Sequence, residues 1–117
     1  MTVGLHIDLE EIDRKLILRI DGRLDASSSP ILERKINGLL EERHTHLLLD
    51  FSRVDYLSSA GMRVLLAATK KLKGKKGDLI LFSLHDDVAG IVRMAGFDKI
   101  LHICANEKEA LHKNLSQ

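Results

Sequence analysis

The segment Asp50-Phe51-Ser52-Arg53-Val54-Asp55-Tyr56-Leu57-Ser58-Ser59-Ala60-Gly61-Met62-Arg63-Val64-Leu65 decides the fold, because it carries a strand through a pair of serines into a helix. Just before it, Leu47-Leu48-Leu49 forms a continuous apolar run within His46 to Phe51. Such a run suits a strand covered on both faces, and so a middle strand of a partly parallel sheet. Just after it, Ala60 to Leu72 is rich in helix formers, with Met62, Leu65, Leu66 and Leu72 on one side. Lys70, Lys71, Lys73, Lys75 and Lys76 collect toward the end of that helix, where cations meet the negative end of its dipole and form a solvated face. Gly74 and Gly77 then mark the exit loop.

Working toward the N-terminus, Leu5, Ile7 and Leu9 alternate with His6, Asp8 and Glu10, and Leu16, Leu18 and Ile20 repeat the pattern after a polar Glu11 to Lys15 region. This predicts an opening β-hairpin. Gly22 is expected to end its second strand. Ser27-Ser28-Ser29-Pro30 offers capping hydroxyls and a proline for the first turn of a helix, along which Leu32, Ile36, Leu39 and Leu40 form the apolar stripe. Glu33, Arg34, Lys35, Glu41 and Glu42 are left for solvent.

Toward the C-terminus, Leu79-Ile80-Leu81-Phe82 reads as another short strand. Val88, Ile91, Val92 and Ala95 repeat at helical spacing before Gly96, and Ile100 to Ile103 would add a further strand. Asn106 with Glu109 three residues on, then Ala110, Leu111 and Leu115, suits a capped terminal helix. The expected architecture is a single α/β domain over residues 1–117: a mixed sheet of four to five strands with about four helices packed mainly on one side.

Composition narrows the function. A chain of 117 residues that is 44% apolar has the size of one domain with a real core. Its 18 basic and 17 acidic residues leave no basic bias toward nucleic acid or an anionic membrane. The absence of Trp and the single Tyr remove most of the aromatic platforms used to stack bases. No apolar segment has the length of a signal peptide or a membrane span, so a cytoplasmic location is expected. The lone Cys104 between Ile103 and Ala105 reads as a buried structural thiol in a reducing compartment.

The chemistry concentrates at Ser58 and Ser59. Both stand where the first N–H groups of a helix lack intrahelical acceptors, so either hydroxyl suits a cap. A phosphate on this turn would face the positive end of the helix dipole and accept bonds from the same donors.

The Asp50 to Leu65 stretch resembles the signature of the STAS family, the sulfate transporter and anti-sigma-factor antagonist domains, in which a strand leads through an Asp-Ser-Ser-Gly or Ser-Ser-Ala-Gly box into a helix. Gly22-Arg23-Leu24-Asp25-Ala26 is similar to the family's Gly-x-Leu-Asp segment, and the order of elements agrees from about Leu5 to Leu115. The resemblance implies a phosphoacceptor at Ser59, with Ser58 where many members carry Asp and Asp25 beside the phosphorylated turn. Gly61, Met62 and Arg63 then form the helix face nearest a partner. A free-standing domain of this length points to the bacterial antagonist branch. There the unphosphorylated protein binds an anti-sigma factor that is also a serine kinase, releases the sigma factor, and is switched off by phosphorylation and restored by a serine phosphatase. The same family includes ligand- or nucleotide-sensing modules and subunits of larger regulatory or transport assemblies, which form the alternative class.

Other motifs carry less. His44 and His46 lack further Cys, His or carboxylate neighbours at zinc spacing, so no metal is expected. Lys73-Gly74-Lys75-Lys76-Gly77 follows a helix and lacks the spacing of a phosphate-binding loop. Ser59 has neither a nucleophile elbow nor a recognisable triad. The expectation is therefore a binding protein without cofactor or catalytic residue, with phosphoryl chemistry residing in its kinase.

Overall fold

The computed structural model describes residues 4–113. Among these, five strands form one sheet in the order β1-β2-β3-β4-β5. The hairpin of β1 (His6–Ile12) and β2 (Lys15–Leu24) is antiparallel, and β3 (His46–Leu57), β4 (Asp78–Phe82) and β5 (His102–Cys104) continue in parallel. Helices α1 (Ser29–Glu41), α2 (Ser59–Gly74), α3 (Asp86–Met94) and α4 (Glu107–His112) make the connections and the C-terminal element. No helix among the described residues is long and apolar enough to cross a membrane.

The two-residue period of the strands sorts the apolar residues into two layers. Leu16, Leu18, Ile20, Leu47, Leu49 and Phe51 face one side. They are covered by Leu32, Ile36, Leu39 and Leu40 of α1, by Met62, Leu65, Ala68 and Leu72 of α2, and by Val88 and Val92 of α3. Ile17, Leu48, Ile80, Phe82 and Cys104 face the other side, under Ala110 and Leu111 of α4. This double cover explains why Leu47-Leu48-Leu49 is apolar without alternation. It also accounts for Cys104, which is buried and whose thiol is pushed up by that burial.

Charge pins α4 onto its face. Arg19 of β2 reaches Glu107 at 2.7 Å, Glu10 at 2.8 Å and Asp50 at 2.9 Å. Burial raises Asp50, but hydrogen bonds from Ser52 and Arg19 outweigh it and hold the carboxyl below its usual range. At the N-terminus of α4 the Asn106 side chain accepts from the Glu109 amide at 2.9 Å, the predicted cap. Lys15 donates to the carbonyls of Leu111 and Lys113 at the other end. Leu115, expected on this helix, lies outside the described residues.

Two expectations are corrected. Gly22 does not end β2, which continues to Leu24 with register shifts on either side of Gly22. Gly22 has φ 133°, and a Cβ there would stand 2.7 Å from the Gly4 carbonyl oxygen, so the glycine admits a close chain crossing and bends the strand. The α3 stripe is also narrower than its spacing predicts: Val88 and Val92 are buried, whereas Ile91 and Ala95 are exposed. Val88/Val92 and Ile91/Ala95 are two neighbouring i, i+4 rows, and only the first reaches the core.

Candidate functional site

The register of β3 against β4 stops at Asp50 and Phe82, while its pairing with β2 runs on to Leu57 opposite Leu24. Strands β2 and β3 therefore project together beyond β4. They deliver the turn after Leu24 and the turn after Leu57 to the same end of the sheet. The Ser58 amide donates to the Leu24 carbonyl at 2.8 Å and ties the two turns together.

Ser58 has extended backbone (φ −90°, ψ 173°), and its hydroxyl accepts from the Gly61 amide at 3.2 Å. Its carbonyl accepts from the Met62 amide at 2.9 Å, starting the helical ladder. Ser58 is thus the N-cap of α2. Ser59 follows as the first helical residue and is exposed. Gly61 is buried where the helix meets the strand ends: a Cβ there would sit 2.8 Å from Leu57 Cδ1, 3.0 Å from Leu24 Cβ and 3.1 Å from the Leu24 carbonyl oxygen. The glycine permits the close approach that sets Ser59 beside the Leu24–Asp25 turn.

The neighbouring turn works differently from the sequence expectation. Ser28 occupies the N-cap position of α1, but its side chain makes no capping bond. The Asp25 carboxylate instead accepts from the amides of Ser27 at 3.0 Å and Ser28 at 2.9 Å. Ser28 Oγ donates to the Arg23 carbonyl and accepts from the Asp25 amide, and Ser29 Oγ donates to the Asp25 carbonyl at 2.6 Å. Ser28 Oγ has no free amide to cap, because Pro30 lacks an N–H and the Ile31 amide donates to the Ser28 carbonyl at 2.9 Å. The Ser28 amide, then the Ser27 amide, hold Asp25 below the usual carboxylate range. Asp25 lies beside the Ser58 turn through its chain neighbour Leu24, with its carboxylate engaged toward α1.

The remaining predicted residues divide by burial. Arg63 is exposed, Met62 is 5% exposed, and Gly61 acts through packing. Near the same end, Arg23 stacks over the Tyr56 ring at 4.2 Å, and Asp55 is exposed. Alongside Ser58, Ser59 and Arg63 opens a cavity of about 290 Å³. Its apolar lining comes from Met62 and Leu66 of α2 and from Ile91, Ala95 and Phe97 at the α3 end. Ile91, Ala95 and Phe97 were not among the sequence-predicted site residues. The available signal was the doubled row on a helix of nine residues, which has more apolar positions than one packed face uses.

The two histidines are separate. His46 Nδ1 lies 2.9 Å from Asp78 Oδ1, whereas His44 Nε2 lies 4.0 Å from Glu42. Among the described residues no group of three or more His, Cys, Asp and Glu is placed to hold a metal ion.

Comparison with known proteins identifies the family and the fold. Residues 6–110 match the STAS domain. The chain is 31% identical over 106 residues to the BtrV protein of Bordetella bronchiseptica, which carries the name of an anti-sigma factor antagonist; the match covers 91% of this chain and 90% of that protein. The crystal structure of an anti-sigma factor antagonist from Mycobacterium paratuberculosis superposes with a TM-score of 0.83 at 24% identity, covering 92% and 91% of the two chains. The Bacillus cell fate determinant SpoIIAA, solved in its phosphorylated form, superposes with a TM-score of 0.70 at 22% identity, covering 91% of this chain and 96% of that one.

Proposed function

This chain belongs to the STAS domain family, and we propose that it acts as an anti-sigma-factor antagonist switched by phosphate on Ser59. The unmodified form binds an anti-sigma factor that is also a serine kinase and so releases the sigma factor. Phosphorylation ends that binding, and a serine phosphatase restores it. The observation that carries this reading is the division of labour between adjacent serines: Ser58 is committed to the helix cap, and Ser59 presents its side chain to solvent at the first helical position.

The names of the relatives support the antagonist role, and the solved phosphorylated form of SpoIIAA supports a fold that tolerates the modification. In the phosphoryl step, Ser59 Oγ attacks the γ-phosphorus of ATP, the bond to the β-phosphate oxygen breaks, and ADP leaves. The hydroxyl proton passes to a base of the kinase, which also supplies the magnesium. The product carries about −1.5 to −2 charge beside the first helical N–H donors, so the domain stays folded. The complex loses stability because that charge would have to be desolvated in the interface.

The test is incubation of the purified domain with candidate anti-sigma kinases and ATP, followed by mass-spectrometric mapping and a binding measurement before and after. Phosphate on Ser59 with loss of binding is expected. A kinase complex that forms but leaves Ser59 unmodified would overturn the switch.

A further inference from the structure

We propose that this chain forms a two-fold homodimer through the exposed flank of α1, with the helices of the two copies crossing antiparallel at Gly38 and both Ser59 turns left open to partners.

Three observations meet on that flank. The first is a groove of about 460 Å³ between α1 and the edge strand β1, with Leu9, Ile31 and Leu39 as its apolar lining. Leu9 is 43% exposed there, although its alternation with Asp8 and Glu10 is that of a residue on a covered face. The second is Gly38, which lies within α1 and lines the same groove. Glycine weakens a helix, and a Cβ at Gly38 would meet nothing within 4 Å, so packing inside one chain does not require it. A second helix passing over this point does, because the side chains at a crossing set how near the two axes come.

The third is charge. Arg34 and Lys35 stand one turn before Gly38, Glu41 and Glu42 one turn after it, and all four are exposed. The two glutamates sit at the C-terminal end of α1, against its dipole, and the last turn carries no basic residue to offset them. Among the described residues Arg34, Lys35 and Glu41 form no ion pair, and Glu42 reaches only His44, at 4.0 Å. Within one helix the basic and acidic pairs are too far apart to meet, since facing neighbours are three or four residues apart. Turned about a two-fold axis through Gly38, the basic pair of each copy faces the acidic pair of the other, while Leu9 and Ile31 of both copies fill the groove. A parallel crossing would set like charges together. The patch is thus complementary to itself, as an isologous contact requires, and its occupant is a second copy of this chain.

The strands do not extend the contact. In an antiparallel pairing of two β1 edges centred on Leu9, Asp8 would oppose Glu10 of the second copy, and like charges in register keep such edges apart. The Ser59 turns stay clear, because α2 lies against the opposite flank of α1, where Lys71 donates to the Asn37 side chain at 3.0 Å. A contact set by one short helix is small and dissociable, with an expected constant of about 10–100 μM.

Sedimentation velocity of the full chain at concentrations on either side of that constant tests the dimer. The mass should rise from 13.1 kDa toward twice that value. Gly38→Gln should associate about tenfold or more weakly yet melt at or above the parent, because glutamine is the better helix former. Arg34→Glu/Lys35→Glu and Glu41→Lys/Glu42→Lys should each stay monomeric alone, and an equimolar mixture of the two should recover the dimer. Adding Gly38→Gln to both members of the mixture should remove it again, whereas Ser59→Asp should dimerise like the parent. A parent that remains at 13.1 kDa throughout would overturn the dimer. A dimer that survives Gly38→Gln and both charge reversals would overturn this flank as its seat, and a mixture that stays monomeric would overturn the antiparallel crossing. Loss of the dimer in Ser59→Asp would overturn the placement of the serine turns outside the contact.

Discussion

Two serine-rich turns lead from neighbouring strands into neighbouring helices, and they use their hydroxyls in opposite ways. At the start of α1, Ser28 and Ser29 are 1% and 2% exposed, and both hydroxyls bond the backbone of Arg23 or Asp25. At the start of α2, Ser58 alone is engaged, and Ser59 faces solvent. The difference comes from one residue type. Asp25 supplies a carboxylate that closes the turn before α1 on the Ser27 and Ser28 amides, whereas the α2 turn has a hydroxyl at its cap. The first turn is a structural lock, and the second leaves a nucleophilic oxygen accessible on a fixed support.

Substitutions sharpen this contrast. The largest stability effect is expected at the support itself. Gly61→Val would drive a branched side chain into Leu57 and Leu24, costing about 3 kcal/mol in denaturant unfolding. Ser28→Ala should follow, at about 2 kcal/mol, because the Arg23 carbonyl and the Asp25 amide both lose a buried partner. On the α2 turn, Ser58→Ala should cost about 1 kcal/mol as a lost cap. Ser59→Ala should change stability by less than about 0.5 kcal/mol, as an exposed position does. Equal costs at Ser58 and Ser59 in the same unfolding series would erase the distinction between cap and acceptor.

Acid provides a smaller probe of the first turn. The Asp25 carboxyl lies below its unfolded value because Ser28 and Ser27 donate to it. Its contribution is present above the ordinary carboxylate pKa and is lost as pH falls through the lowered folded value. An Asp25→Asn variant should therefore melt with a shallower dependence on pH in the acid range than the parent.

Much of the fold was legible because period and burial agree. The alternating hairpin, the unbroken Leu47-Leu48-Leu49 run and the four-residue stripe of α1 each have one packing solution, and the structure adopts it. The misreadings arise where a residue serves a contact distant in sequence. Gly22 admits the backbone at Gly4, so its local appearance as a strand end was misleading. Asp25 takes the amides of Ser27 and Ser28 ahead of the helix while Ser28 Oγ turns back to Arg23 and Asp25, a pattern that depends on the bend of the turn. Ile91 and Ala95 have core spacing, yet the core beneath α3 is filled by Val88 and Val92. The helix start at Ser58 and Ser59 was legible from the capping hydroxyls, and the structure makes Ser58 the cap. The apolar wall beside it required the placement of α3.

The central claim is that an exposed serine on a rigid helix start controls a complex without altering the fold. Titration of the anti-sigma kinase with unmodified and stoichiometrically Ser59-phosphorylated protein, alongside the melting temperature of each form, tests it most directly. An affinity loss of about a hundredfold or more is expected between two forms of similar stability. Equal affinity of the two forms, or a phosphorylated form that fails to bind because it has unfolded, would contradict it.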